Sequence, residues 1–260
     1  MTSETAGAAS RRKRLRLAAH ANLFIAFVLW APDSPATAPP DGNRFLVAPY
    51  VWATNVDAEL ALGPDSVPVK MNVGDVLSYV KYGAMGYLQW NFNNSFLFAD
   101  GTAAGMDTDE FEPFFNDPLK VDFRVVETGY GRHFLLRPGS GPVREILVSP
   151  HLGILHGSLK GEASGTFDMD IDYSWTGMTI GGTVSAALDK RFRLSLRTVH
   201  SGFSGGLKDF YNVLLALRYR VSDRVALGVG YRIASARYLT GDTVVDVDLN
   251  GALLGVELSW

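Results

Sequence analysis

Five arginines in this chain, Arg193, Arg197, Arg218, Arg220 and Arg232, alternate with apolar residues instead of lying in a charge run. In 192–197, Phe192, Leu194 and Leu196 alternate with Arg193, Ser195 and Arg197. In 209–221, Tyr211, Val213, Leu215, Leu217, Tyr219 and Val221 alternate with Asn212, Ala216, Arg218 and Arg220, and Leu214 shares the polar side. In 225–233, Val225, Leu227, Val229, Tyr231 and Ile233 alternate with Ala226, Gly228, Gly230 and Arg232. Glu127, Glu257 and Gln89 fall on the polar sides of their own stretches. A period of two is that of a β-strand, so each set faces one side of a sheet. Guanidinium groups converging from neighbouring strands select anions where the space between them is open. Where that space is narrow, the same groups pair with carboxylates and fill it.

Other groupings carry less chemistry. His200 and Ser201 are a base and a nucleophile by type, but adjacent side chains on a strand point opposite ways. A nucleophile must lie within hydrogen-bond reach of its base, so an exposed pair at a rim is the simpler reading. His151 and His156 do not have metal-ligand spacing. Asp168, Asp170 and Asp172 alternate in F-D-M-D-I-D-Y without the glycine and distal glutamate of a calcium loop. They read as a solvated acidic tip, or as one that meets divalent cations between lipopolysaccharide phosphates. There is no glycine-rich phosphate loop, nucleotide motif or paired catalytic carboxylate. No catalytic residue, cofactor or metal is therefore expected. The absence of cysteine excludes disulfides, thiol chemistry and a lipid-modified N-terminal cysteine.

The elements that would carry these residues are strands. Period-two stretches near 44–54, 81–92, 95–106, 121–135, 144–158, 171–188, 191–202, 209–221, 225–239 and 245–260 predict about ten of them. Connections at Asn93-Asn94, Arg137 to Pro142, Asp189-Lys190 and Ser222 to Arg224 are tight, while 55–80, 107–120, 159–170 and 203–208 are longer. The turn near Thr240-Gly241-Asp242 breaks that trend. Short turns at one rim and long loops at the other describe a transmembrane antiparallel up-and-down β-barrel, with the short turns periplasmic. Apolar residues face lipid and polar ones face the lumen, and a charge on lipid at the midplane would cost about 2–4 kcal/mol.

Details of the count stay open at eight or twelve. Ala58 to Leu62 and Ser66 to Met71 flank Gly63-Pro64-Asp65 like a hairpin, and Asp75 to Val80 suits a helical turn. The adjacent Val125 and Val126 suggest a bulge, because the apolar set changes phase there. Val245, Val247 and Leu249 precede Ala252 with a similar change, and the alternative to a bulge is that these upper segments stand above the membrane, where alternation no longer reports lipid. The 95–106 strand is ambiguous, since Phe96 and Phe98 share a face with Asp100. Trp52, Trp90, Tyr130, Tyr219, Tyr231 and Trp260 are expected in interface girdles.

Both ends agree with this placement. Arg11, Arg12, Lys13, Arg14 and Arg16 precede the apolar run Leu23–Ala31, which is too short to span a bilayer as a helix. Residues 1–38 read as an export signal peptide, with cleavage between 31 and 38 and Ala36-Thr37-Ala38 as one site. A retained N-terminal anchor is the alternative. The leader carries five Lys/Arg and two Asp/Glu, so the net charge of −3 for the whole chain becomes −6 beyond it. That acidity gives no reason to expect nucleic-acid binding. At the other end, Ala252, Leu254, Val256, Leu258 and Trp260 share one face of a strand that runs to the last residue.

Several segments resemble a family of Gram-negative outer-membrane β-barrel proteins. They are APYVWATNVDAELALG (48–63), NVGDVLSYVKYGAMGYLQWNF (72–92), LRTVHSGFSGGLKDFYNVLLALRYRVSDRVALGVGYRIASARYL (196–239) and VDLNGALLGVELSW (247–260). The family's acidic, glycine-rich loop at 198–208 is altered here, with His200 and Ser201 replacing its aspartate pattern. Ala252, Leu254, Val256, Leu258 and Trp260 also resemble the C-terminal signal read by the barrel-assembly machinery. The resemblance implies one barrel over 39–260 in the cell outer membrane. Its expected partners are membrane lipid and lipopolysaccharide, and periplasmic chaperones and the assembly machinery during biogenesis. It implies no ligand. The expected role is non-enzymatic, structural or in surface interaction through the long loops. A narrow pore for small polar or anionic solutes, and a lipid-modifying enzyme using His200, are the alternatives.

Overall fold

The computed structural model describes residues 43–260 except 63–64, 109–118, 138–142, 144, 164–168, 203–206 and 241–242. The leader (1–38) and Asp168 lie outside the described residues, as do the hairpin tip Gly63-Pro64 and the turn centre Gly241-Asp242. Among the described residues no helix is long and apolar enough to cross a membrane.

Ten antiparallel strands close into a ring: β1 (Arg44–Leu62), β3 (Val80–Phe92), β4 (Ser95–Thr108), β5 (Leu119–Arg132), β7 (Glu145–Ala163), β8 (Met169–Ala187), β9 (Phe192–Ser201), β10 (Leu207–Arg220), β11 (Val225–Thr240) and β12 (Thr243–Ser259). Each pairs with the next around the ring, and β12 returns to β1. Two short strands stand outside it. β2 (Asp65–Met71) folds back on upper β1 as the expected hairpin, and β6 (Phe134–Leu136) prolongs β5 along β7 after a break at His133. The helical turn is α1 (Val73–Tyr79), capped by Asn72, whose side chain accepts from Gly74 and Asp75 N–H. Its capping box is completed by the Asp75 carboxylate on the Asn72 N–H.

The register sets the shape. From Leu46 it passes through Gln89, Phe98, Gly129, Gly153, Thr179, Ser201, Phe210, Ala236 and Val247, and returns to β1 at Ala58. One circuit thus advances twelve residues along β1, from 46 to 58. With ten strands, that stagger tilts them about 40° and gives a ring of radius about 10 Å. Side chains from opposite walls can therefore meet.

The outer surface carries the apolar alternation: Leu152, Ile154, Met178, Ile180, Val229 and Leu254 are all more than half exposed. Trp90, Tyr130, Tyr231 and Trp260 also face outward. Trp52 does not belong to that girdle. It is 8% exposed and packs inside with Ala234 and Leu253, because β1 turns its even-numbered residues inward at this height.

The bulge expected at Val125-Val126 is absent. The β4–β5 and β5–β7 ladders run unbroken through both residues. Val121, Phe123 and Val125 simply continue the inward face above the outer apolar belt, where Arg124 is exposed. Val245, Val247 and Leu249 do the same on β12, whose ladders also run without a shift. Register shifts occur instead at Val80/Tyr82 and Leu207/Asp209. The ambiguity of 95–106 is resolved inward, since Phe96, Phe98 and Asp100 are all buried. The rings fit because Gly129 and Gly131 lie beside them on β5: a Cβ would come within 2.6 Å of Phe98 and 2.3 Å of Phe96.

Candidate functional site

The lumen holds three tiers of side chains. The middle tier is charged. Arg197 on β9 donates to Asp100 on β4 and to Glu127 on β5, each at 2.7 Å. Arg232 on β11 lies 3.7 Å from the same Asp100 oxygen and donates to Asn212 and to the Tyr50 hydroxyl. Tyr50 in turn donates to Asp100 at 2.8 Å. Glu127 also accepts from Thr179 at 3.0 Å, and His151 stands 3.6 Å from it. Aromatic faces enclose the guanidinium groups: Arg197 lies 5.3 Å from Tyr87 and from Phe98, and Arg232 lies 5.0 Å from Trp52. Two arginines thus meet two carboxylates in a space walled by rings and strands. Each remaining carboxylate oxygen has a hydroxyl donor, which is what a buried ionic group requires.

Below it, toward the short turns, lies a neutral chain on one wall. Tyr87 donates to Gln89, and Gln89 donates to Asn91, both at 2.6 Å. His133 contacts Asn91 at 2.9 Å through Nε2 and Ser149 at 2.8 Å through Nδ1. Its ring stacks on Phe96 with centroids 4.6 Å apart. On the opposite wall, Arg218 pairs with Glu257, and Arg193 is 4.0 Å from Glu145. The Arg220 guanidinium donates to the Lys190 carbonyl. A cavity of about 70 Å³ opens at this mouth, lined by Arg193, Arg218, Arg220, Glu257 and Ser259 among others.

The seven charges singled out in the sequence fall into separate groups. Arg197, Arg232 and Glu127 meet in the middle tier. Arg193, Arg218, Arg220 and Glu257 lie at the mouth. Asp100, the residue through which the middle tier is joined, is missed by alternation alone because its face is shared with Phe96 and Phe98. A lone carboxylate next along the face from the two inward rings Phe96 and Phe98 was the available signal.

The remaining candidates do not assemble. His200 is exposed and 3.6 Å from Asp209, while Ser201 is fully buried on the other face. His151 is buried inside, and His156 is exposed and bonded to Thr176. Asp172 pairs with Lys160 at 2.7 Å on the outer surface. Among the described residues no group of histidine and carboxylate side chains could hold a metal. The terminal strand closes the ring: Ser259 pairs with Leu46, and Phe45 and Trp260 exchange backbone hydrogen bonds of 2.9 and 3.1 Å. Ala252, Leu254 and Trp260 are exposed outward, with Val256 and Leu258 half-buried on the same face.

No protein-family model and no curated protein matches the chain. Solved structures do. The outer-membrane protease OmpT of Escherichia coli superposes with a TM-score of 0.52 at 11% identity, over 87% of this chain and 99% of that one. Ail, the attachment invasion locus protein of Yersinia pestis, solved in complex with the heparin analogue sucrose octasulfate, gives a TM-score of 0.36 at 13% identity over 85% of this chain and all of its own. Neisserial surface protein A gives a TM-score of 0.34 at 14% identity over 84% of this chain and 99% of that one. At 11% identity the likeness to OmpT concerns the fold alone, which is that of an outer-membrane β-barrel.

Proposed function

We propose that this chain is a non-enzymatic integral protein of the outer membrane whose barrel is a closed scaffold. Its contacts with the surroundings are made at the long-loop rim. The observation that carries this reading is the bridge from Arg197 to Asp100 and Glu127, which ties one wall to the other at mid-lumen. Opening a path there would strand buried charges, which costs several kcal/mol. The outward apolar belt supports the membrane placement, and lipid and lipopolysaccharide are the proposed surroundings of the rim. Charged pairs exposed there, Lys70–Asp57, Lys160–Asp172 and Arg237–Asp246, are suited to a polar, salt-bridged surface. Export by the leader and recognition of the terminal strand by the assembly machinery complete the proposal. Planar-bilayer recording tests it. The purified native barrel is expected to give no conductance steps above background.

A second reading is a narrow anion pore. The mouth cavity favours it, since Arg193, Arg218 and Arg220 converge there with Glu257. Anion-selective steps that vanish in Arg193→Ala would replace the closed scaffold with this reading.

A further inference from the structure

Above Trp52 the lumen changes character. Its inward side chains there include Phe123 and Val125 on β5, Leu159 on β7, and Val247 and Leu249 on β12, all partly exposed. The interior of a water-filled barrel is normally polar, and an exposed contiguous apolar lining marks a binding surface. The floor of this cup is the Trp52, Ala234 and Leu253 cluster, with Met85 and Leu249 packed against it. The Trp52 indole N–H is buried there without a hydrogen-bond partner.

The wall beside the cup is incomplete. β1 and β3 pair from Arg44↔Asn91 up to Pro49↔Gly86 and no further. Both strands continue upward, but no ladder pair joins residues 50–55 to 80–85. Upper β1 regains a partner on that side only at Val56↔Met71, where β2 begins. From there α1 leads to the start of β3, and Val73 N–H donates to the Asn55 side chain at 3.0 Å. The result is a window with β1 and β3 as its sides, α1 above and the Pro49–Gly86 pair below. The β8–β9 ladder also ends early, but because β9 itself stops at Ser201. The β1–β3 window lies within the apolar belt: Val51 at its edge is 49% exposed and pairs with the lipid-facing Leu254. Unpaired strand edges are costly against hydrocarbon, and at β1–β3, unlike β8–β9, both strands continue past the last pair.

We infer that the window admits an acyl chain of an outer-leaflet lipid into the apolar cup above Trp52. A hydrocarbon chain is the occupant because the cup is apolar and the lower part of the window, between Val51 and Met85, opens from the outer apolar belt into it. The charged middle tier stops it from passing further. The inference needs the barrel to sit in a membrane and is independent of whether the lumen conducts.

The experiment uses full-length barrel refolded in phosphatidylcholine vesicles that contain a diazirine on the acyl chain. After irradiation, adducts are mapped by mass spectrometry. Labelling of outward Leu254 and Ile154 reports membrane placement by itself. The expected result adds adducts on inward Val125, Phe123 or Leu253. Adducts confined to the outward residues would overturn the inference while leaving the placement intact. Gly83→Phe places a ring in the window, where the nearest atoms to an added Cβ are 3.9 Å away. It is expected to abolish inward labelling and spare Leu254. Thr54→Phe blocks from the opposite side, and the heat-modifiable gel band of each variant reports its folding. Inward labelling that persists in both folded variants overturns entry through the window.

Discussion

Arg197 donates to Asp100 at 2.7 Å although the two lie 97 residues apart and on strands separated by β5, β7 and β8 around the ring. The contact is a strut between walls. Arg197 also holds Glu127, and Asp100 also holds Arg232 and Tyr50, so the strut is the centre of a network.

Asp100→Ala is therefore expected to cost about 3–5 kcal/mol, because it leaves two buried guanidinium groups short of a counter-charge. Urea unfolding followed by the heat-modifiable gel band measures it. Adding Arg232→Met should recover part of the loss, since one stranded charge is removed with it. A single variant as stable as the native barrel would show that water already screens the network.

Gly129→Ala should destabilise by about 1–3 kcal/mol through overpacking. Its Cβ would meet the Leu152 carbonyl at 2.4 Å and the Phe98 ring at 2.6 Å. Gly101→Ala on the neighbouring strand meets nothing nearer than 3.8 Å and should fold like the native chain. Equal stability of the two variants, in the same urea titration, would contradict the inward placement of Phe98.

Deleting Trp260 removes the Phe45 ring contact, with centroids 5.8 Å apart, and both backbone bonds that end the β12–β1 seam. The expected outcome is loss of folded protein from the membrane fraction, with degradation or aggregation in the periplasm. Immunoblots of fractionated cells measure it, and normal membrane levels would show that closure does not need the last residue.

His200→Ala should leave lipid A unchanged in mass-spectrometric profiles of cells carrying the protein. The imidazole faces outward, away from the buried Ser201. A profile that differs between native and variant protein would restore the enzymatic reading.

Much of the fold was legible in local pattern. Alternation in 209–221 and 225–233 assigned lipid and lumen faces because a one-residue slip would place Arg218 or Arg232 on hydrocarbon. Above the membrane hydrocarbon no longer disciplines the outer face, and there the pattern left a bulge and a segment beyond the membrane as alternatives. Val121, Phe123 and Val125 mimicked a bulge, yet they face the lumen in unbroken register. Trp52 matched a girdle by type and turned out to roof the charged tier, since residue type alone does not report which side of a strand it occupies.

By itself the sequence determined that a ring of strands forms, which way most side chains face, and where the chain closes. Those properties follow from a two-residue period and from the cost of exposing charge to lipid, both of which act locally. Only the tertiary structure decided which inward residues share a level. The twelve-residue stagger on closure brings Arg197 level with Asp100 and leaves Arg193 and Arg218 at the mouth. That stagger is a property of the whole ring, summed over every seam, and no single strand carries it. The gap between β1 and β3 has the same origin: each strand is regular alone, and only their divergence above Pro49 and Gly86 opens the wall.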